Sequence, residues 1–130
     1  MNVMPATELQ VMQALACARE EWEPAAIKNP YAITHEGRLL GIAGIARTRR
    51  EHVGRLWAVF IETLGAGLEL TKFAQRYLPL FASHYKFTEL ELTVSGEENA
   101  RWAELIGFQP GGKTLKRFDK EWRAYVWFAG

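Results

Sequence analysis

A chain of 130 residues, 48% of them hydrophobic and five of them tryptophan, is long enough to build one domain around a substantial core, and residues 1-130 are read as a single domain. Sixteen basic against fifteen acidic side chains leave a net charge of +1, which disfavours nucleic acid or an anionic membrane as a partner held by a broad field. Cys17 is the only cysteine, so no intramolecular disulfide is available, and a reducing, cytoplasmic setting is expected.

Other targeting signals are not legible. The Met1 region lacks the basic-then-apolar layout of a signal peptide, and no apolar run approaches the roughly 20 residues of a membrane helix. Cys17 sits in the apolar stretch Leu15-Ala-Cys-Ala18 and is expected as a small buried packing residue rather than a nucleophile.

The chain opens with Asn2 to Pro5, read as a short edge strand. Thr7 and Gln10 form a capping-box pair, in which hydroxyl and amide satisfy orphan N–H groups reciprocally. A helix follows toward Trp22, with Leu9, Met12, Leu15, Ala16 and Arg19 at helical spacing, and Pro24 closes it. Tyr31 to His35, a tight turn at Glu36-Gly37, Leu39 to Ala46 and Arg55 to Ile61 form three successive strands, an antiparallel meander. Gly41 and Gly44 inside the second of these predict a bulge or a close approach by another backbone. The run Arg47-Thr-Arg-Arg50, followed by Glu51, is expected as a solvated strand end.

A long helix is predicted from about Leu64 to Tyr85, with Leu70, Phe73, Ala74, Tyr77, Phe81 and Tyr85 on one face and Pro79 placed to kink or split it. Glu89 to Val94 alternates as a strand, and Glu97 to Gly107 reads as a short amphipathic helix stopped by glycine. Thr114 to Phe118, a turn at Asp119-Lys120, and Trp122 to Phe128 close the chain as a hairpin. In its last strand Trp122 and Phe128 share one face, Tyr125 and Trp127 the other.

Chemistry concentrates in Glu62-Thr-Leu-Gly-Ala-Gly67, between the third meander strand and the long helix. Glycines at such a junction let backbone N–H groups approach phosphate oxygens, and the helix N-terminus adds favourable partial charge. Candidate bases near the third strand are Glu51, His52, Glu62 and Glu91. His35 and His84 have no partner at ligand spacing, so no metal site is expected.

The strand at Glu89, the short helix, Leu105-Ile-Gly-Phe108 and the closing hairpin together resemble the C-terminal half of the Gcn5-related N-acetyltransferase (GNAT) fold. The resemblance implies an α+β (mixed α/β) domain with a central, mostly antiparallel sheet of about six or seven strands and helices on both faces. It also implies acetyl-CoA as cofactor. Gly65 and Gly67 match the family's two small phosphate-loop positions, so the amides of Leu64, Gly65, Ala66, Gly67 and Leu68 would hold pyrophosphate. Glu62 stands where the family has Gln or Arg. The third meander strand would splay from the strand at Glu89, with Ala58, Val59 and Phe60 lining the pantetheine arm.

Three departures accompany these matches. The Tyr that the family places four residues before the helix-ending glycine is Ala103, its Asn is Gly96, and an aromatic residue, Trp102, lies five before that glycine. The last feature resembles GNAT-like proteins of tailed phages, including internal virion proteins of the T7-like group, although their frequent His is Asn99 here. Two functional readings follow. One is an acyl-CoA-dependent N-acetyltransferase acting on a small-molecule or protein amine, with Glu62 as base. The alternative is a catalytically inactive GNAT-fold phage protein, virion-associated, acting as a homodimer or through a phage or host protein partner.

Overall fold

The computed structural model describes residues 1–17, 29–61, 67–117 and 120–129. Among the described residues, ten elements run in the order β1 (Asn2–Pro5), α1 (Glu8–Cys17), β2 (Tyr31–His35), β3 (Arg38–Arg47), β4 (Val53–Phe60), α2 (Gly67–His84), β5 (Glu89–Ser95), α3 (Glu97–Leu105), β6 (Gln109–Arg117) and β7 (Lys120–Phe128). The fold is mixed α+β, and its strands form one seven-stranded, mostly antiparallel sheet in the order β1-β2-β3-β4-β5-β7-β6. The parallel pair is β4 with β5, in register Val53↔Glu89, Gly54↔Leu90 and Arg55↔Glu91. Parallel neighbours need a crossover, and the chain between β4 and β5 carries α2.

The described residues divide into two compact units, Met1–Ala46 with Leu56–Leu70, and Arg47–Arg55 with Thr71–Gly130. In the first, Ala14, Ile42, Trp57 and Val59 form a buried cluster, with Ala6, Val11, Ala46 and Ile61 packed against it. The capping box forms as expected: Thr7 N–H donates to Gln10 Oε1 at 2.9 Å, and Gln10 N–H donates to Thr7 Oγ1 at 3.2 Å. The face that α1 buries differs from the expected one. Ala14 is fully buried and Val11 and Leu15 half-buried, whereas Leu9 and Met12 are exposed. Cys17 is exposed too, a correction to its expected burial. At 100° per residue the buried stripe runs through Val11, Ala14 and Leu15, and Cys17 falls off its edge. The continuation toward Trp22 and the stop at Pro24 lie outside the described residues.

The two glycines of β3 answer to close approaches. A Cβ on Gly41 would collide with the Val59 carbonyl oxygen and stand 2.8 Å from Phe60 Cδ1; one on Gly44 would stand 2.7 Å from the Trp57 ring. The turn before β3 takes positive φ at Glu36 (52°) and Gly37 (76°), the twist a two-residue hairpin requires.

In the second unit β5 alternates: Leu90, Leu92 and Val94 are buried, Glu89 and Glu91 half-buried, and Thr93 exposed. It pairs antiparallel with β7 from Glu89↔Phe128 to Ser95↔Trp122. In β7, Tyr125 and Trp127 point inward while Phe128 is exposed, matching the expected face assignment. α2 buries Leu70, Leu78 and Ala82 and half-buries an aromatic row in which Phe73 and Tyr77 stack at 4.2 Å. It runs through Pro79 without splitting. Pro79 is exposed, the side on which a lost backbone donor costs least. Two residues past the end of α3, Gly107 takes a φ of 108° that excludes most side chains, and Phe108 beyond it is buried. The turn expected at Asp119 lies outside the described residues apart from Lys120.

Candidate functional site

The junction between β4 and α2 is the centre of the candidate site. β4 alternates in burial beyond Arg55: Trp57 and Val59 enter the apolar cluster with Ala14 and Ile42, while Ala58 and Phe60 face the other way and are half-buried. The three strand residues expected to line a cofactor therefore divide. Ala58 and Phe60 share a face, and Val59 has its side chain in the core, leaving only its backbone for a ligand. The register with β5 covers Val53 to Arg55; Leu56 to Phe60 belong to the first unit. Strand backbone at that point is anchored on the β3 side, where Ile61 N–H donates to Leu40 C=O at 2.8 Å.

α2 begins at Gly67, and a Cβ placed there would meet nothing within 4 Å. Leu68, the next residue, is 65% exposed. The first amides of a helix carry favourable partial charge for an anion. Glu62, Leu64, Gly65 and Ala66 lie outside the described residues. Glu69, in the first turn, is exposed and favourably placed for the helix dipole.

The other base candidates are committed to neighbours or open to water. Arg55 Nε and its terminal nitrogen both donate to Glu91 Oε1, at 3.0 and 2.8 Å. Glu51 and His52 are exposed, and His52 Nε2 lies 3.4 Å from an Arg50 nitrogen. The Arg47–Arg50 run behaves as a solvated strand end: Thr48 Oγ1 ties the loop by accepting from Arg50 N–H and donating to Val53 C=O, and Arg50 pairs with Glu89 at 3.4 Å. His35 lies 3.9 Å from Glu36, and His84 packs edge-on against Tyr85.

α3 carries Ala103, the position at which the resembled family places a Tyr. Ala103 is fully buried, and Trp102 donates its indole N–H to Thr71 Oγ1 at 3.1 Å. One turn along α2, Gln75 Nε2 donates to the carbonyl of Leu105 at 2.6 Å. Trp102 was legible in the sequence as a notable aromatic, but its partners on α2 were not, because they are about 30 residues away and set by packing. At the start of α3, Glu97 accepts from Arg123 at 2.5 Å, and this bond raises the Arg123 pKa above its ordinary value.

No family model matches the chain, and no curated protein matches it. Solved structures do. A chimera of the Vibrio cholerae spermidine N-acetyltransferase SpeG with hSSAT superposes with a TM-score of 0.77 at 9% identity, over 98% of this chain and 96% of that one. AAC(6')-Ib, an aminoglycoside acetyltransferase solved in complex with Parmomycin and AcetylCoA, gives 0.70 at 16% identity, over 97% of this chain and 92% of that one. A GNAT-family acetyltransferase from Bacillus anthracis gives 0.59 at 20% identity over 76% of this chain; the match spans 64% of that protein's length. At these identities the likeness speaks to architecture: this chain has the fold of the GNAT-family acetyltransferases.

Proposed function

We propose that the protein is an acyl-CoA-dependent N-acetyltransferase that transfers acetyl from acetyl-CoA to an amine of a small molecule or protein. The observation that carries this reading is the β4-to-α2 junction. There, in a fold shared with acetyltransferases, β4 is followed in the chain by α2, at whose first residue, Gly67, a Cβ would meet nothing within 4 Å. In this reading the amides of residues 64–68 hold the pyrophosphate at the α2 N-terminus. The backbone of Ala58, Val59 and Phe60, in the half of β4 outside the β5 register, would pair with the pantetheine arm.

Bound acetyl-CoA supplies the activated thioester. The acceptor amine must be neutral to attack: its nitrogen forms a bond to the acetyl carbon as the carbon–sulfur bond breaks, and Glu62, directly or through water, takes the proton that nitrogen gives up. A carboxylate also lowers the local affinity for pyrophosphate, so Glu62 trades cofactor binding for base strength. Ala103 offers no proton, so the thiolate leaves unassisted or protonated by water.

Isothermal titration with acetyl-CoA tests the reading. Micromolar binding that disappears in Gly65→Val supports it. Absence of heat at millimolar ligand overturns it and leaves the catalytically inactive phage-protein reading.

A further inference from the structure

β6 is an end strand of the sheet: it pairs with β7, and no described strand pairs with its other side. Its outer backbone N–H and C=O groups are a template on which an extended chain can add. A bulge shortens that template. β6 advances four residues, from Pro110 to Thr114, while β7 advances two, from Tyr125 to Arg123, and Gly112 takes a φ of 77° inside the slip. Beyond it, Thr114 to Arg117 run in unbroken register with Arg123 to Lys120. That is an edge of about 13 Å at roughly 3.3 Å per residue. Every residue from Gln109 to Lys116 is exposed. Charge marks this edge. The strand Gln109–Arg117 holds three basic residues and no acidic one. Lys113 and Lys116 are exposed, as is Lys120 at the start of β7, and none of the three forms an ion pair among the described residues. Glu121, opposite Lys116, is the one acidic residue among the described residues of the hairpin. Next to Lys116, Leu115 is 57% exposed and stands opposite the half-buried Trp122 on the other face.

We propose that the edge of β6 at Lys113 to Arg117 is a docking site for an extended, acidic segment of a partner protein, which adds to the sheet as a further strand. A second copy of β6 is the wrong occupant. It would bring only cations to an edge that already carries them, and like charges directly opposed across two strands destabilise the pair. An acidic strand makes the same contacts attractive. The lysines therefore act in both directions, against self-pairing and toward an anionic guest. Main-chain bonds supply affinity, the lysines select charge, and Leu115 with Trp122 gives an apolar guest residue a surface on the opposite face. All of these residues belong to the second compact unit, and the site stands whether or not acetyl-CoA binds.

The probe is a labelled peptide with blocked ends that alternates glutamate and valine, so that as a strand it turns glutamates to one face and valines to the other. Fluorescence anisotropy on the full chain reads its affinity, and amide exchange reads where it sits. Binding weakens as salt rises, and amides within Thr114 to Arg117 become protected. The double variant Lys113→Glu/Lys116→Glu binds about tenfold more weakly, because attractive cross-strand pairs become repulsive. A peptide of the same charge with proline at the valine positions loses about as much, since proline offers no backbone donor. No binding at millimolar peptide overturns the proposal. So does equal binding of the proline peptide, which would show ion attraction without strand pairing. Unchanged affinity in the double variant, or protection that falls outside β6, overturns it as well. A chain that protects its β6 amides by dimerising as its own concentration rises overturns it in favour of a second copy. Both lysines are exposed, and if the double variant nonetheless fails to fold, the two peptides compared on the unaltered chain decide the matter.

Discussion

Gly41 and the carbonyl of Val59 meet so closely that no side chain fits between β3 and β4 at that point. The contact sits beside the strand proposed to carry the cofactor, and Phe60 closes the same space, with its Cδ1 2.8 Å from where a Cβ would stand. Gly41→Ala is therefore expected to push β4 outward, costing about 1–3 kcal/mol of stability. Gly37→Ala, where a Cβ meets nothing but φ is 76°, is strained by its backbone alone, by about 1 kcal/mol. Urea melts of the two variants, with acetyl-CoA titration of each, separate the effects: only Gly41→Ala changes the cofactor strand.

Ala103→Tyr would restore, on paper, the proton donor of the related fold. Ala103 is fully buried, and the phenol has no room. The expected result is a loss of about 1–3 kcal/mol or more in thermal unfolding and no gain in kcat. A stable, faster variant would show that the acid position has been misassigned.

Glu62→Gln has two expected effects of opposite sign. Removing a negative charge beside pyrophosphate is expected to tighten acetyl-CoA binding, by about 1 kcal/mol for unit charges about 4 Å apart at the dielectric of bulk water. Removing the base lowers kcat, by about a hundredfold or more. Titration and steady-state kinetics on one preparation read both. Weaker binding together with unchanged kcat would eliminate Glu62 from the site.

Thr7→Ala removes the hydroxyl that accepts from Gln10 N–H and should cost about 1 kcal/mol. Leu90→Ala, at a fully buried position of β5, should cost about 2–5 kcal/mol. Leu80→Ala, 60% exposed on α2, should fall within about 0.5 kcal/mol of the parent. Thermal melts of the three rank the helix cap between core and surface. The Arg123–Glu97 pair makes no contribution to a pH transition on the alkaline side of neutrality. A raised arginine pKa keeps its stabilisation until pH climbs through a value beyond that range.

Much of the fold was legible because its signals are local. Alternation in Glu89 to Val94, the Thr7–Gln10 box, the Glu36-Gly37 turn and the Gly107 stop each depend on residues within a few positions, and each is found in place. The α1 face was misread because Leu9 and Met12 sit at helical spacing as convincingly as Val11 and Ala14 do; which stripe turns inward depends on what packs there. The candidate site at Gly65 and Gly67 rests on likeness alone, and Gly65 lies outside the described residues, while the division of Ala58 and Phe60 from Val59 needed the orientation of β4.

The order of elements follows from hydrophobic period and glycine placement, which any local segment carries in itself. Tertiary packing alone decided the rest. It set Gly41 against Val59, buried Ala103 where the resembled family has a Tyr, engaged Glu91 with Arg55, and joined Trp102 to Thr71. Each of these relations joins strands or helices brought together by burial of the core. Local pattern records which residues favour burial, and only the packed register determines which of them meet.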